Sequence, residues 1–489
     1  MNNRPNILII QSDQHRIDCI GAYGNSEIQT PHLDALSADG IRYQQSFCPY
    51  PVCTPSRYSF LSGLYVHQHM GRSNRSTLSP VIPTFPRVLC DAGYQTKAVG
   101  KMHFTPTYLD VGFEEMLLAE QAGSGRYDDD YHRWLKEEGQ FDQIDLIDQV
   151  QEYRQQTSAE YWDTVGAIES NLEEKYHSTT WIGDCAVESL SDWNHDRSHL
   201  LMVSFIKPHH PFDPPTPWSR MYDLNRLSLL PGYTDSPLQH DLDFHAGFFP
   251  YAEMTEEKIR GAMAYYYATI SQIDHHLGRL IDCLKQKDLY DNTLILYNSD
   301  HGEYMGYHHL LLKGNYMYDP LIKVPLIIKY PDQTQAGTVS DALVNTIDAA
   351  PTLLKQTSCQ VPETMMGLDL MDSADQREFV FAEAGRGSGY MARSKTRKLL
   401  LHHQENQSQF FDLEMDPYEL NNLFFDPHWQ DEVAAFREAL FKWAMFDHPT
   451  HAYLDPTSAI IPARNAVHHD DGHRDEIYAY FKNKMKGNA

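Results

Sequence analysis

The chain has 489 residues, 42% of them hydrophobic, enough for two to four domains or for one large α/β domain with a smaller companion. With 67 acidic against 40 basic side chains its formal charge is -27, which argues against nucleic acid or an anionic membrane surface as a partner, because both select basic faces. An anionic substrate would need a local basic pocket set against that global field.

No window approaches the roughly 18 to 20 apolar residues that span a bilayer. The apolar run Ile7 to Ile10 is too short for the core of a secretory leader. The cysteines Cys19, Cys48, Cys53, Cys90, Cys185, Cys283 and Cys359 are odd in number and scattered, without a C-x-x-C pair. A reducing, cytoplasmic setting is the expectation.

In chain order, NILII (6–10) predicts a buried strand, followed at once by SDQH (12–15). PVCTPSR (51–57) predicts a helix start, with Thr54 as cap, Pro55 in the first position and Gly63 as terminator. Cys53 then stands at the positive end of the helix dipole, and Arg57, one turn on, can point to the same place. TKAV (96–99) predicts a second strand and leads into GKMHF (100–104). Residues 112–180, rich in Glu, Gln, Asp and Tyr, read as an insertion over one sheet edge.

HLLMVSFI (199–206) is a third strand, followed by KPHHPF (207–212) and a Pro- and aromatic-rich loop over 210–252. Ile270, Ile273, Leu277, Leu280, Ile281 and Leu284 recur at helical spacing. Asp291-Asn292 then turns the chain into the strand TLILYN (293–298), which ends in SDHGE (299–303). VPLIIKY (324–330) is a further strand. This alternation predicts an α/β fold with a mostly parallel central sheet flanked by helices. From about 375 the texture changes. REFVFAEA, MARSKTRKLLLHH and SQFFDLEMDPYELNNL each read as a short strand, the last turning into a helix, so residues 376–489 form a smaller C-terminal domain with an antiparallel sheet. The larger α/β domain is then 1–375.

Four polar clusters each follow a strand, and ligands of open parallel sheets bind at the carboxyl ends of strands. Asp13, Gln14, Asp300 and His301 are oxygen donors with one imidazole, which suits Ca²⁺, Mg²⁺ or Mn²⁺. Nothing has zinc spacing. Lys101, His103, Lys207, His209, Lys313 and Arg57 form a cationic set able to surround a tetrahedral anion.

Together these residues resemble the type I sulfatases of the alkaline-phosphatase superfamily. The resemblance rests on Cys53-Thr54-Pro55-Ser56-Arg57 with Leu61-Ser62-Gly63, on Gly93 through His103, on SDQ (12–14), SDHGE (299–303) and FDLEMDPYELNNL (411–423). It implies an alkaline-phosphatase-like fold and oxidation of Cys53 to formylglycine by a formylglycine-generating enzyme. It further implies that the hydrated aldehyde attacks a small sulfate ester and releases inorganic sulfate and an alcohol. By the same resemblance Asp13, Gln14, Asp300, His301 and the modified Cys53 hold one divalent cation. Arg57 and Lys101 stabilise the hydrated aldehyde, Lys313 contacts sulfate, His209 protonates the leaving alcohol and His103 removes the proton from the second hydroxyl.

Two positions depart from the Asp-Asp and Asp-Asn pairs of many sulfatases: Asp13-Gln14 and Asp300-His301. That combination resembles the branch of choline sulfatase and phosphonate monoester hydrolase, so manganese stands beside calcium, and a phosphonate monoester or phosphodiester hydrolase is the alternative activity. Lys101 and His103, where those hydrolases resemble each other in carrying hydroxyls, favour sulfate.

His308 and His309 are equally assignable to the site or to its rim. Asn74 reads as a turn residue, with a place in the pocket wall as the alternative; VHHDDGH (467–473), metal-like in composition, reads as a solvated tail, and Cys90, Cys185 and Cys283 as core. The polar tail is long enough to reach a neighbouring subunit of a homo-oligomer.

Overall fold

The computed structural model describes residues 4–121, 126–244, 249, 254–372, 377–447 and 473–487. The expected boundary near 375 and most of VHHDDGH lie outside these residues.

The central sheet has eight strands in the order β4-β3-β5-β1-β6-β7-β2-β8. They are β1 (Asn6–Ser12), β2 (Ile41–Phe47), β3 (Gln95–Gly100), β4 (Glu115–Leu118), β5 (His199–Phe205), β6 (Thr293–Ser299), β7 (Leu326–Lys329) and β8 (Thr338–Asn345). Strands β1, β5 and β6 are buried along their whole length, which explains their near-continuous apolar runs. Alternate residues serve opposite faces: Ile7, Ile9, Met202 and Leu296 join one core, Leu8, Ile10, Val203 and Ile295 the other. All pairings are parallel except those of β7, which runs antiparallel to both β6 and β2.

Strand β4 corrects the reading of the insertion. Its first residues do not lie over the sheet edge but form it, through parallel pairing with β3. The stretch from 210 is irregular where described, with single turns at Trp218–Arg220 and Leu224–Arg226 and the short helix Gln239–Phe244.

The helix Glu256–Gln286 covers one sheet face, packing against the helix Ser178–Ser191. It also reaches the sheet edge: Tyr266 Oη donates to the Gln14 carbonyl at 2.6 Å and accepts from the Arg16 amide at 3.0 Å.

A second sheet of four antiparallel strands has the order β12-β11-β10-β9. MARSKTRKLLLHH is two strands rather than one, β10 (Gly389–Arg393) and β11 (Arg397–His402), flanked by β9 (Val380–Ala384) and β12 (Gln409–Asp412). The Ser394 hydroxyl accepts from the Thr396 and Arg397 amides at 3.3 and 3.0 Å, a local serine turn that reverses the chain. The helix Gln430–Met445 packs on this sheet, with Trp443 stacked on Phe381 at 4.9 Å.

Candidate active site

Strand register builds the site. Ser12 pairs with Ser299, so Asp13 and Asp300 leave the sheet side by side. Gly100 pairs with Ser204 on the other flank, delivering Lys101 to the same edge. The helix Cys53–Ser62 brings Cys53 up to these residues. One ligand atom from each of Asp13, Cys53, Asp300 and His301 lies within 4.8 Å of the others, and all four residues are buried.

His301 is aimed by its own backbone. Its Nδ1 is 2.9 Å from the Gly302 carbonyl, which can only accept, so Nδ1 carries the hydrogen. Nε2 therefore faces inward, 3.3 Å from Cys53 Sγ and 3.8 Å from Asp13 Oδ1. Gln14 adopts positive φ (67°), and its amide nitrogen donates to Glu303. That leaves its buried Oε1 without a hydrogen-bond partner.

Arg57 ties the two carboxylates together. Its Nε donates to Asp300 at 2.8 Å and its Nη2 to Asp13 at 3.1 Å. Its Nη1 is spent on the Lys101 carbonyl (2.6 Å) and Ser204 Oγ (2.8 Å). Lys101 Nζ reaches Asp13 at 2.8 Å. Lys313 Nζ is 3.0 Å from Cys53 Sγ and 3.3 Å from His301 Nε2.

These charges compete with burial. Burial and Asp13 push the Cys53 thiol up, but Lys313, Lys101 and His301 outweigh them and leave it well below an ordinary cysteine. Burial also opposes ionisation of Asp13, yet Lys101, His209, Lys313 and Arg57 hold it far below the usual carboxylate range. Asp300 goes the other way: burial and the Asp13 charge raise it to about 6. His301, although burial disfavours its charge, is raised by Asp300. Two buried carboxylates, the inward Nε2 of His301 and Cys53 converge within 4.8 Å. With the unpartnered Gln14 Oε1, this donor set fits a hard divalent cation.

The remaining residues sort clearly. His103 and His209 flank the cluster: Cys53 bears on His103, while Asp13, Lys101 and Lys313 bear on His209. Burial, then Lys313 and Lys101, drive His209 well below an ordinary histidine. Its Nδ1 is 2.5 Å from the His210 carbonyl, which can only accept, so Nδ1 carries the hydrogen and the ring's lone pair is on Nε2.

Lys207 is not part of the cationic ring. It pairs with Asp213 and donates to the Pro211 carbonyl at 2.8 Å, because its own loop turns an acid back towards it. His308 is structural, between Asp241 (2.8 Å) and the Tyr418 carbonyl (2.7 Å), and His309 stacks on Tyr233 at 5.0 Å. Thr54 is not the cap. The helix begins at Cys53, Thr54 Oγ1 donates to the His103 carbonyl at 2.8 Å, and Asn74 Oδ1 accepts the Thr54 amide at 3.1 Å.

Glu120 was not legible as a site residue. Its Oε1 accepts the Met102 and His103 amides at 3.0 and 2.7 Å and fixes their loop. Burial raises it to about 7. Its only sequence signal is its place just after an edge strand.

Residues 5–359 match the sulfatase family. The chain belongs to the sulfatase family. Residues 306–445 of this sulfatase also match the C-terminal part of N-sulphoglucosamine sulphohydrolase. It is 29% identical to an arylsulfatase of Clostridium perfringens, over 90% of this chain and 94% of the relative. To a choline-sulfatase of Rhizobium meliloti it is 27% identical, over 89% and 86%. Among solved structures, the phosphonate monoester hydrolase of Agrobacterium radiobacter superposes with a TM-score of 0.74 at 22% identity, covering 90% of this chain and 95% of that one, which shows a shared fold. The sulfatase is a sulfuric ester hydrolase with an alkaline-phosphatase-like architecture, and among its described residues no helix is long and apolar enough to cross a membrane.

Proposed function

We propose that this sulfatase cleaves sulfate monoesters with Cys53, oxidised to formylglycine by a formylglycine-generating enzyme, as its nucleophilic residue and one divalent cation beside it. The observation that carries the reading is the placement of Cys53 Sγ, 3.0 Å from Lys313 Nζ and 3.3 Å from His301 Nε2. The sulfur stands in for an oxygen of the modified residue. Formylglycine, hydrated, supplies an attacking oxygen and a second hydroxyl whose deprotonation releases sulfate by C–O cleavage and restores the aldehyde. Asp13, Gln14, Asp300 and His301 would hold the cation, whose chemistry is to neutralise the buried carboxylates and polarise bound oxygens. Calcium, manganese and magnesium all suit this donor set.

The chain's own groups divide the remaining work. Lys313 and Lys101 neutralise the sulfate oxygens as charge builds on them. Arg57 fixes Asp13 and Asp300. His209 Nε2 gives a proton to the departing alcohol oxygen. It is neutral beside two lysines, and the negative charge of an arriving sulfate ester offsets those lysines and raises its proton affinity. His103 takes the proton from the second hydroxyl, from a loop fixed by Glu120.

The second reading is a phosphonate monoester or phosphodiester hydrolase, since sulfuryl and phosphoryl transfer share in-line geometry and the fold is common to both. Lys101 and His103 beside Cys53 favour sulfate. Comparison of kcat/KM for an aryl sulfate and the matching aryl phosphonate monoester decides between them. Sulfate should be preferred, and a clear preference for the phosphonate would replace the first reading by the second.

A further inference from the structure

A cleft of about 580 Å³ opens beside the nucleophile, lined by Val52, Arg72, Asn74, Arg75, Asn315 and Arg386 among others. Val52 precedes Cys53, and Asn315 lies two residues beyond Lys313. Three arginines thus line one cleft in a chain whose net charge is -27. No carboxylate lines it among the described residues. Glu383, on the strand that leads to this wall, is buried against His67, whose amide and Nδ1 bond it at 2.7 and 2.8 Å.

The arrangement is built rather than incidental. Tyr50 Oη donates to the Arg72 carbonyl at 3.2 Å and accepts the Arg386 amide at 2.9 Å, so one hydroxyl pins together two loops more than 300 residues apart in sequence. Arg72 Nε is buried and has no hydrogen-bond partner. Like charges gathered with no carboxylate among the described lining residues repel one another, and an anion relieves that repulsion.

Resting on the sulfatase reading, we infer that the substrate is a sulfate ester whose alcohol portion carries a second anionic group, a carboxylate or another sulfate, held by Arg72, Arg75 and Arg386. The cleft is unsuited to a quaternary ammonium such as the choline of choline sulfate, which these arginines repel.

The test uses full-length, formylglycine-bearing, metal-loaded protein and three probes: 3-carboxyphenyl sulfate, its neutral counterpart 3-carbamoylphenyl sulfate, and benzene-1,3-disulfate. Against 3-carboxyphenyl sulfate the carbamoyl probe has the more electron-poor leaving group, so that bias runs against the inference; the disulfate's two equivalent esters account for a factor of two, by which its ratio is divided. The ratio of kcat/KM for a charged probe over the neutral one should exceed about ten, and should shrink as salt rises. In Arg75→Gln, an exposed position, and in Arg72→Gln/Arg386→Gln, the ratio should fall towards one. Preference for the carboxylate identifies that group as the second anion, and preference for the disulfate identifies sulfate. A wild-type ratio near one with the neutral probe turned over overturns the inference and leaves the sulfatase reading standing. So does a ratio that survives both variants. Hydrolysis of none of the three overturns the sulfatase reading itself.

Discussion

Lys313 Nζ lies 3.0 Å from Cys53 Sγ, across 260 residues of sequence. No local motif joins the two. Each is delivered by its own segment, Cys53 on the first turn of a helix and Lys313 on the loop beyond β6. The ammonium lowers the Cys53 thiol more than any other cation does. In unmodified protein, Lys313→Ala should therefore raise the thiol pKa, and the pH profile of iodoacetamide alkylation should move to higher pH. In modified protein the same change should cost about 10²–10³ in kcat/KM on an aryl sulfate. An unmoved alkylation profile would count against the charge contact.

Arg57 compensates two buried carboxylates at once. Arg57→Ala leaves Asp300 without its ion pair and Asp13 with Lys101 as its remaining one, and should destabilise the fold by about 3–5 kcal/mol, read from urea unfolding. Arg57→Lys should recover little, because an ammonium cannot span Asp13, Asp300 and Ser204 as the guanidinium does. Full stability in the lysine variant would mean that charge alone matters.

How far the site could be read from sequence follows from this geometry. SDQH, GKMHF and SDHGE were legible because each directly follows a strand, and register alone brings strand ends together. Lys207 sits in an equally well-placed cluster yet turns to Asp213, six residues on, a pairing that no strand pattern encodes. Glu120 and Tyr266 act on backbone amides and carbonyls of distant loops, so their roles exist only after folding. Strand β2 (IRYQQSF) is too polar to announce itself, and β8 (TVSDALVN) is buried only in its second half. β7 reads like its neighbours because burial on both faces is indifferent to direction.

His209 is assigned to the leaving group, and that role has a distinctive kinetic mark. His209→Ala should lose about 10²–10⁴ in kcat on an alkyl sulfate, whose alkoxide needs a proton, and far less on 4-nitrophenyl sulfate. Equal losses on both esters would assign His209 to binding or positioning instead.

A pH dependence of stability comes from the buried ring of His69. Its Nδ1 accepts the Gly71 amide at 3.0 Å and its Nε2 is 2.9 Å from Ser59 Oγ, so the ring is neutral. Burial lowers its pKa from 6.5 to about 3. The folded value lies below the unfolded one, so the stabilisation is present above 6.5 and is lost as pH falls towards 3. Between pH 6.5 and 5 the loss approaches about 1.4 kcal/mol per pH unit. His15 and His276, lowered by burial to about 4 and about 3, add slopes of their own, so urea unfolding at pH 7.5, 6 and 5 should show His69→Gln with a slope smaller than wild type by about one proton's worth. An equal slope in wild type and variant would place the acid sensitivity elsewhere.

The central claim is that Cys53 does not remain a cysteine in active protein. Mass spectrometry of the Cys53 peptide, on fractions ranked by specific activity towards an aryl sulfate, tests it most directly. The peptide should carry a residue lighter than cysteine, in proportion to activity, and Cys53→Ala should abolish turnover. Full activity in fractions whose Cys53 is entirely free thiol, or undiminished turnover in Cys53→Ala, would contradict the account.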